Sequence, residues 1–484
     1  MKKTIAAVAL LLLAAVPGLA GRYDSPDFLT GHLVSGGPPK DGIPALTNPQ
    51  FVPPSGVSYV AWDDLVIGVY INGVAKAYPE NLGWWHEIIN DEIGGQFISV
   101  TFCPLTGTAM VFAATDTDGS QIQFGVSGLL INSNLVMFDR SDGETLFPQM
   151  IYTAINGDSV GDRLELLPAV ETTWAMWKKL HPDTRVAAAG TGWDYYEGKR
   201  TPYPYERYTE YPYISFSRDY RTSNEYLLFL PSTNGGELDS RYAVKDVVLG
   251  ICREGETRAY PFADMPDGAV INDRIGDQSL VVVFDADSHT AIPYSSDVGG
   301  DPLNFYAVES EGSLLLEFMD IETGSRWNML GEAIAGPLAG ERLVQMPAYN
   351  AMWFAWAAYW PETSIWKTGA GIIDPPPPVT AIAELGEAVP DRFALQQNIP
   401  NPFNPQTHIR YQLPHSGQVS LSVFNAAGQQ VRILVDEYQN AGSYLQTWDG
   451  RDQRGIPAAS GTYFYRLELP ASGLSESRAM SLVR

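Results

Sequence analysis

The chain has 484 residues, and 56 acidic against 31 basic side chains give a formal charge of −25. Such a field opposes phosphate backbones, so nucleic acid is excluded as a partner. With only two cysteines, Cys103 and Cys252, the chain is no disulfide scaffold, and its length predicts about three domains.

Residues 1–20 begin with Lys2 and Lys3, continue through an apolar run from Ile5 to Val16 and close on the small residues Gly18-Leu19-Ala20. This pattern predicts a cleaved secretory signal with a mature start near Gly21, and hence export. No later stretch approaches the roughly 20 consecutive apolar residues of a spanning helix, so no transmembrane helix is expected.

Residues 21–190 read as the first of two related lobes. The residues Ile67 to Ile71 and Ala75 to Tyr78 flank Asn72-Gly73, the strongest short hairpin signal. An apolar strand from Phe97 to Phe102 follows, and a short helix with Trp174 and Trp177 on one face is stopped by Pro182. Residues 191–240 form an aromatic-rich bridge, in which Tyr195, Tyr196, Tyr203, Tyr205, Tyr208, Tyr211 and Tyr213 lie among Pro202, Pro204 and Pro212. Such rings cover a surface or stack on a sugar.

Residues 241–368 repeat the first lobe. Ala77-Tyr78-Pro79 and Asn90-Asp91 recur 182 residues later as Ala259-Tyr260-Pro261 and Asn272-Asp273, and Trp174 and Trp177 recur 179 residues later as Trp353 and Trp356. A period this long means a duplicated domain rather than a solenoid. The expected class is therefore α+β, with a strand-dominated main region built of two lobes.

The four prolines Pro375 to Pro378 make residues 369–392 an extended linker. In residues 393–484, short β-rich runs such as those from Val419 to Phe424 and from Tyr463 to Leu467, with Gly, Asn and Pro turns between them, predict an all-β immunoglobulin-like sandwich.

Chemistry concentrates in the first lobe. Trp84-Trp85-His86-Glu87 precedes the strand and Cys103-Pro104-Leu105-Thr106-Gly107-Thr108-Ala109 follows it, whereas the second copy has Gly268 and Asp285 at the places of His86 and Cys103. A thiol, an imidazole and the thioether of Met137 or Met110 are the ligand types preferred by copper, so Cys103, His86 and Met137 form a candidate transition-metal set. The same Cys103 and His86 are equally a candidate thiolate–imidazole pair, with Glu87, Asn132 and Thr106 in support. Against both stands a structural reading, in which Cys103 closes a buried strand and His86 is a satisfied core histidine. A Cys103–Cys252 disulfide is a further alternative.

Asp116-Thr117-Asp118-Gly119 lacks the distal glutamate of a calcium loop and reads as a turn. Gly125-Val126-Ser127-Gly128 lacks the spacing of a hydrolase elbow, and no phosphate-cradling loop is present. Hydrolase and nucleotide functions are therefore disfavoured. The competing class is a non-catalytic surface protein that binds a glycan, peptide or envelope partner.

Two resemblances follow from ordered motifs. The series Gly37-Pro38-Pro39-Lys40-Asp41-Gly42, Ala77-Tyr78-Pro79, His86-Glu87, Asn90-Asp91, Cys103 to Ala109, Phe124 to Gly128, Asn132 to Met137 and Trp353-Phe354-Ala355-Trp356 resembles the secreted family known as domain of unknown function 3179, which implies no established activity. The series Asn398-Ile399-Pro400-Asn401-Pro402-Phe403-Asn404-Pro405, Phe424-Asn425-Ala426-Ala427-Gly428, Trp448-Asp449-Gly450 and Gly461-Thr462-Tyr463, closed by Arg478 and Arg484, resembles the C-terminal sorting domain of type IX secretion substrates, related to the FlgD immunoglobulin-like domain. That resemblance implies passage across an outer membrane by the secretion machinery, with display at the surface or release.

Overall fold

The computed structural model describes residues 25–483 except 117, 158, 190–204, 216, 217, 225, 226, 254, 309–315, 370, 374–391, 399, 400, 402 and 404–406. The signal segment, Tyr195, Tyr196, Tyr203 and the four linker prolines therefore lie outside the described residues. The chain divides into two compact units, residues 1–378 and residues 379–484.

In the first unit, strands Leu65–Ile71 and Val74–Pro79 form the expected hairpin. Asn72 and Gly73 turn it with φ of 50° and 83°, the left-handed pair that a two-residue turn requires. Val170–Thr173 adds to one side of this hairpin and leads directly into helix Trp174–Leu180, and Arg185–Ala187 returns parallel to Val74–Pro79. Thr173 caps the helix by accepting from the Met176 amide at 3.3 Å.

The same order recurs later in the chain. The hairpin strands Val247–Arg253 and Glu256–Pro261 receive Tyr349–Met352 on one side, helix Trp353–Tyr359 follows, and Ser364–Lys367 returns in parallel. Each arrangement depends on a glycine, because a Cβ on Gly68 would run into the Trp177 ring and one on Gly250 into the Trp356 ring. Each indole is then fixed by its N–H, which donates to Thr184 at 2.8 Å and to Thr363 at 3.2 Å.

The Asn-Asp pairs also serve matching purposes. Asn90 brackets Phe124 by donating to its carbonyl and accepting from its amide, both at 2.9 Å, and Asn272 does the same to Phe305 at 2.7 Å. A side-chain amide here replaces a missing ladder rung, so no buried backbone group is stranded. Beside them Asp91 accepts from the Tyr78 hydroxyl and Asp273 from the Tyr260 hydroxyl.

One apolar cluster, from Leu249 and Tyr260 to Phe284 and Met346, lies wholly in the second half, and two larger ones draw on both halves. One of these joins Val66, Tyr78, Val100 and Trp177 to Val281, Tyr294, Phe318 and Trp327. Another joins Cys103, Phe112, Met137 and Phe147 to Val248, Tyr349, Trp353 and Trp356. Backbone bonds stitch the crossing, from the Met352 amide to the Thr106 carbonyl at 2.8 Å and from the Thr173 amide to the Ser288 carbonyl at 3.1 Å.

The second unit is a sandwich of antiparallel sheets. Ala394–Leu395, Thr407–Leu413 and Gly442–Trp448 form one sheet, and Gln430–Gln439, Gly417–Asn425, Gly461–Leu469 and Leu474–Leu482 the other. Alternation buries Val419, Leu421, Val423, Tyr465 and Leu467 against Trp448. The Tyr465 hydroxyl donates to the Gln396 carbonyl at 2.6 Å and accepts from the Asn398 amide at 2.8 Å, tying the entering chain to the sheet.

Candidate functional site

Helix Glu80–His86 presses onto strand Gln96–Cys103 because Gly83 leaves room for Phe102, whose Cβ would lie 2.7 Å from any side chain there. The helix stops where Glu87 adopts φ 55° and ψ −34°, a conformation disfavoured for a residue with a side chain. His86 is thereby the last helical residue and Glu87 opens the next strand, Ile88–Ile93.

His86 is fully buried. Its Nδ1 lies 2.7 Å from the Pro44 carbonyl and donates to it, while Nε2 lies 2.9 Å from the Tyr208 hydroxyl and accepts from it. Burial lowers the imidazole to about 4 against a smaller opposing pull from the Pro44 carbonyl, so the ring is neutral with both nitrogens engaged. Such a ring offers no vacant nitrogen to a metal and no base to a thiol.

Cys103 ends its strand with 1 % of its surface exposed, within the apolar cluster that holds Met110 and Met137. Its Sγ lies 3.6 Å from the Ser133 carbonyl. Burial pushes the thiol up to about 11, with the Glu87 carboxylate adding to the shift and Thr106 opposing it. Glu87 is itself buried, and desolvation raises its carboxyl to about 8. The ionisable group acting on the expected nucleophile is thus Glu87, and it makes thiolate formation harder.

The remaining expected residues are structural neighbours of this centre. Thr106 Oγ1 accepts from Thr108 and from Asn134 Nδ2, each at 3.0 Å, and Asn134 also donates to Gln149 at 2.7 Å. Gln149 continues the network to Thr101 at 2.8 Å. Asn132, at φ 50° in the turn between Phe124–Ile131 and Asn134–Asp139, accepts from the amide and the hydroxyl of Thr233 at 2.9 Å. Met137 is wholly buried and pairs with Val126 and Phe147. Among the described residues no three His, Cys, Asp or Glu side chains gather as a metal-binding group. Cys103 and Cys252 are free thiols, the latter 3.8 Å from the Tyr349 hydroxyl.

The aromatic bridge closes over the centre. The Tyr208 hydroxyl meets His86, the Tyr208 carbonyl accepts from Asn81 at 3.1 Å, and the Tyr211 hydroxyl donates to the Pro104 carbonyl at 3.3 Å. Tyr211, Tyr213 and Tyr220 follow one another with ring centroids 5.8 and 6.4 Å apart. Beyond them Lys245 Nζ sits 3.1 Å over the Tyr220 ring, and burial lowers its amine to about 7. The Gly119 amide donates to the Asp116 carbonyl at 2.9 Å, while Thr117 lies outside the described residues.

Sequence reasoning missed Asn134, Gln149 and Lys245. The first two stand as polar residues inside or next to otherwise apolar strands, which was the available signal; Lys245 carries none, since its partners Tyr220 and Phe354 are distant in the chain.

These features define a strand-built body joined to an immunoglobulin-like sandwich, with a buried thiol–carboxyl centre in the first half of the body. Residues 40–363 match the family described as "Protein of unknown function (DUF3179)", and the chain belongs to that family. Residues 404–472 match the FlgD Ig-like domain. No curated protein matches the chain. Among solved structures, FlgD from P. aeruginosa is 26 % identical over 16 % of this chain and 59 % of its own, with a TM-score of 0.14. Latent PorU from Porphyromonas gingivalis is 11 % identical over 49 % of this chain and 29 % of its own, with a TM-score of 0.17. PorZ, a surface component of the type IX secretion system of the same organism, is 10 % identical over 87 % of this chain and 56 % of its own, with a TM-score of 0.15. The chain thus spans less than two thirds of each. No helix among the described residues is long and apolar enough to cross a membrane.

Proposed function

We propose that the protein is exported and displayed at, or released from, the outer cell surface, where its family unit acts by binding rather than by catalysis. The observation that carries this reading is the state of the two expected reactive groups: an imidazole held neutral with both nitrogens engaged, and a thiol held protonated with 1 % of its surface exposed. Metal binding and nucleophilic attack both need forms of these groups that the surroundings disfavour. Export is supported by the signal pattern of residues 1–20 and by the ordered motifs of the FlgD-like sandwich, which would engage the secretion machinery. The matching Gly–Trp contacts and Asn brackets support descent of the two halves from one duplicated domain. The ligand class of this reading is a glycan, peptide or envelope component.

Two measurements test the reading. Deleting residues 379–484 should leave the protein behind the outer membrane, and unchanged surface display would remove the export role. Folded protein at pH 7 to 9 should resist a thiol reagent at Cys103 until unfolded and should yield no copper that a Cys103→Ser variant lacks. Rapid alkylation or stoichiometric copper would overturn the binding reading.

A second reading is favoured by one observation, the strained φ of Glu87 beside Cys103. Such backbone costs about 1–3 kcal/mol and gathers at functional positions. In that reading the Glu87 carboxylate receives the Cys103 proton, a transfer uphill by about 4 kcal/mol for values near 8 and 11. Alkylation of folded protein that rises with pH and changes in Glu87→Gln would select it.

A further inference from the structure

Where the bridge crosses helix Glu80–His86, residues 205–213 form one short turn, Tyr205–Thr209, and among the described residues pair with no strand of the first half. Side chains hold the segment instead. Asn81 Nδ2 donates to the Tyr208 carbonyl at 3.1 Å and Trp85 Nε1 to the Glu210 carbonyl at 3.2 Å. The Tyr208 hydroxyl donates to His86 Nε2 at 2.9 Å and the Tyr211 hydroxyl to the Pro104 carbonyl at 3.3 Å. Tyr208 and Tyr211 are buried, with the Tyr211 ring edge-on to Trp84 at 5.2 Å, whereas Thr209 and Glu210 between them are exposed. Two buried anchors three residues apart, with backbone carbonyls read by side chains, are the means by which a groove holds a peptide. The fit is incomplete. Asn81 is 3 % exposed, yet its Oδ1 accepts from no described residue, and the buried Trp84 Nε1 donates to none. An unmet acceptor and donor beside the segment give a better-matched occupant something to gain. The second half has the three-residue turn Phe262–Asp264 at the place of the helix, so the groove has no counterpart there.

We propose that this groove on the first half is a peptide-binding site, that its ligand is a short peptide with two tyrosines in the spacing Tyr-x-x-Tyr, and that residues 208–211 of the chain itself occupy it as an internal competitor. The proposal rests on the binding reading and commits it to a peptide rather than a glycan. The hydroxyl-accepting groups, His86 and the Pro104 carbonyl, select tyrosine over phenylalanine, and the donors Asn81 and Trp85 fix the backbone between the two rings. Because the competitor is tethered, a free peptide contends with an effective concentration of about a millimolar. Exchange therefore requires a ligand that also satisfies Asn81 Oδ1 and Trp84 Nε1, or a segment whose own anchors are weakened.

The probe is a fluorescent synthetic peptide Tyr-Thr-Glu-Tyr-Pro-Tyr, the sequence of residues 208–213, titrated into the full-length protein and followed by anisotropy. A variant carrying Tyr208→Ala and Tyr211→Ala, whose own segment has lost both anchors, should bind it at least about tenfold more tightly than wild type does. Adding Trp85→Phe, which removes the donor to the peptide backbone, should reverse much of that gain, and a peptide with alanine at its first and fourth positions should not bind. Equal binding by wild type and the freed variant, or indifference to the alanine peptide, overturns the proposal. So does a freed variant that keeps the wild-type tryptophan melt and binds nothing. Should that variant fail to fold, Tyr208→Phe with Tyr211→Phe, which removes only the two hydroxyls, is held to the same outcomes. A glycan bound by protein that refuses the peptide would sink this site and leave the binding reading standing.

Discussion

Replacing Glu87 by Gln should make the first unit more stable in alkali. The carboxyl stands at about 8 in the folded protein against 4.5 for the ordinary group, and burial alone causes the shift. A group raised on folding contributes stability that is complete below pH 4.5 and declines as pH rises through 8. At about 1.4 kcal/mol per unit, the loss reaches about 2–3 kcal/mol between pH 6 and pH 9. Glutamine keeps the shape and φ of the site but cannot ionise, so its loss over that interval should be smaller by this amount. Denaturant melts followed by tryptophan fluorescence report the first unit, because Trp448 is the only tryptophan beyond residue 378. Equal pH dependence in wild type and variant would refute the claim that a buried, desolvated Glu87 sits in the centre.

Other variants probe the scaffold. Gly250→Ala should cost about 1–3 kcal/mol, because its methyl meets the Trp356 ring; a stable variant in the same melts would contradict that packing. Asn90→Ala strands the Phe124 amide and carbonyl and should cost about 1–3 kcal/mol by denaturant midpoint. His86→Ala leaves the Pro44 carbonyl and the Tyr208 hydroxyl unpaired in a cavity, for a loss of about 2–4 kcal/mol with no change in metal content by elemental analysis. Tyr465→Phe should lower the melting temperature of the C-terminal unit by several degrees by calorimetry, because Gln396 and Asn398 lose their common partner.

The elements legible in the sequence were those with a local cause. Asn72-Gly73 dictates its turn whatever surrounds it, and the tryptophans three apart declare a helical face. The placement of Cys103 at the end of a strand was equally local. Its neighbourhood was not. His86 and Glu87 are adjacent in sequence, and only the break in helical geometry at Glu87 assigns the carboxyl rather than the imidazole to the thiol. The partners of His86 lie 42 and 122 residues away, at Pro44 and Tyr208. No periodicity reports contacts of that range, and the same holds for Glu171 with Asn350.

The crossing of the two cores bears on how this chain can change over time. Both halves contribute to two shared interiors, with Trp327 in one and Trp353 in the other. Excising either half would bare a broad oily face, so neither is a portable module.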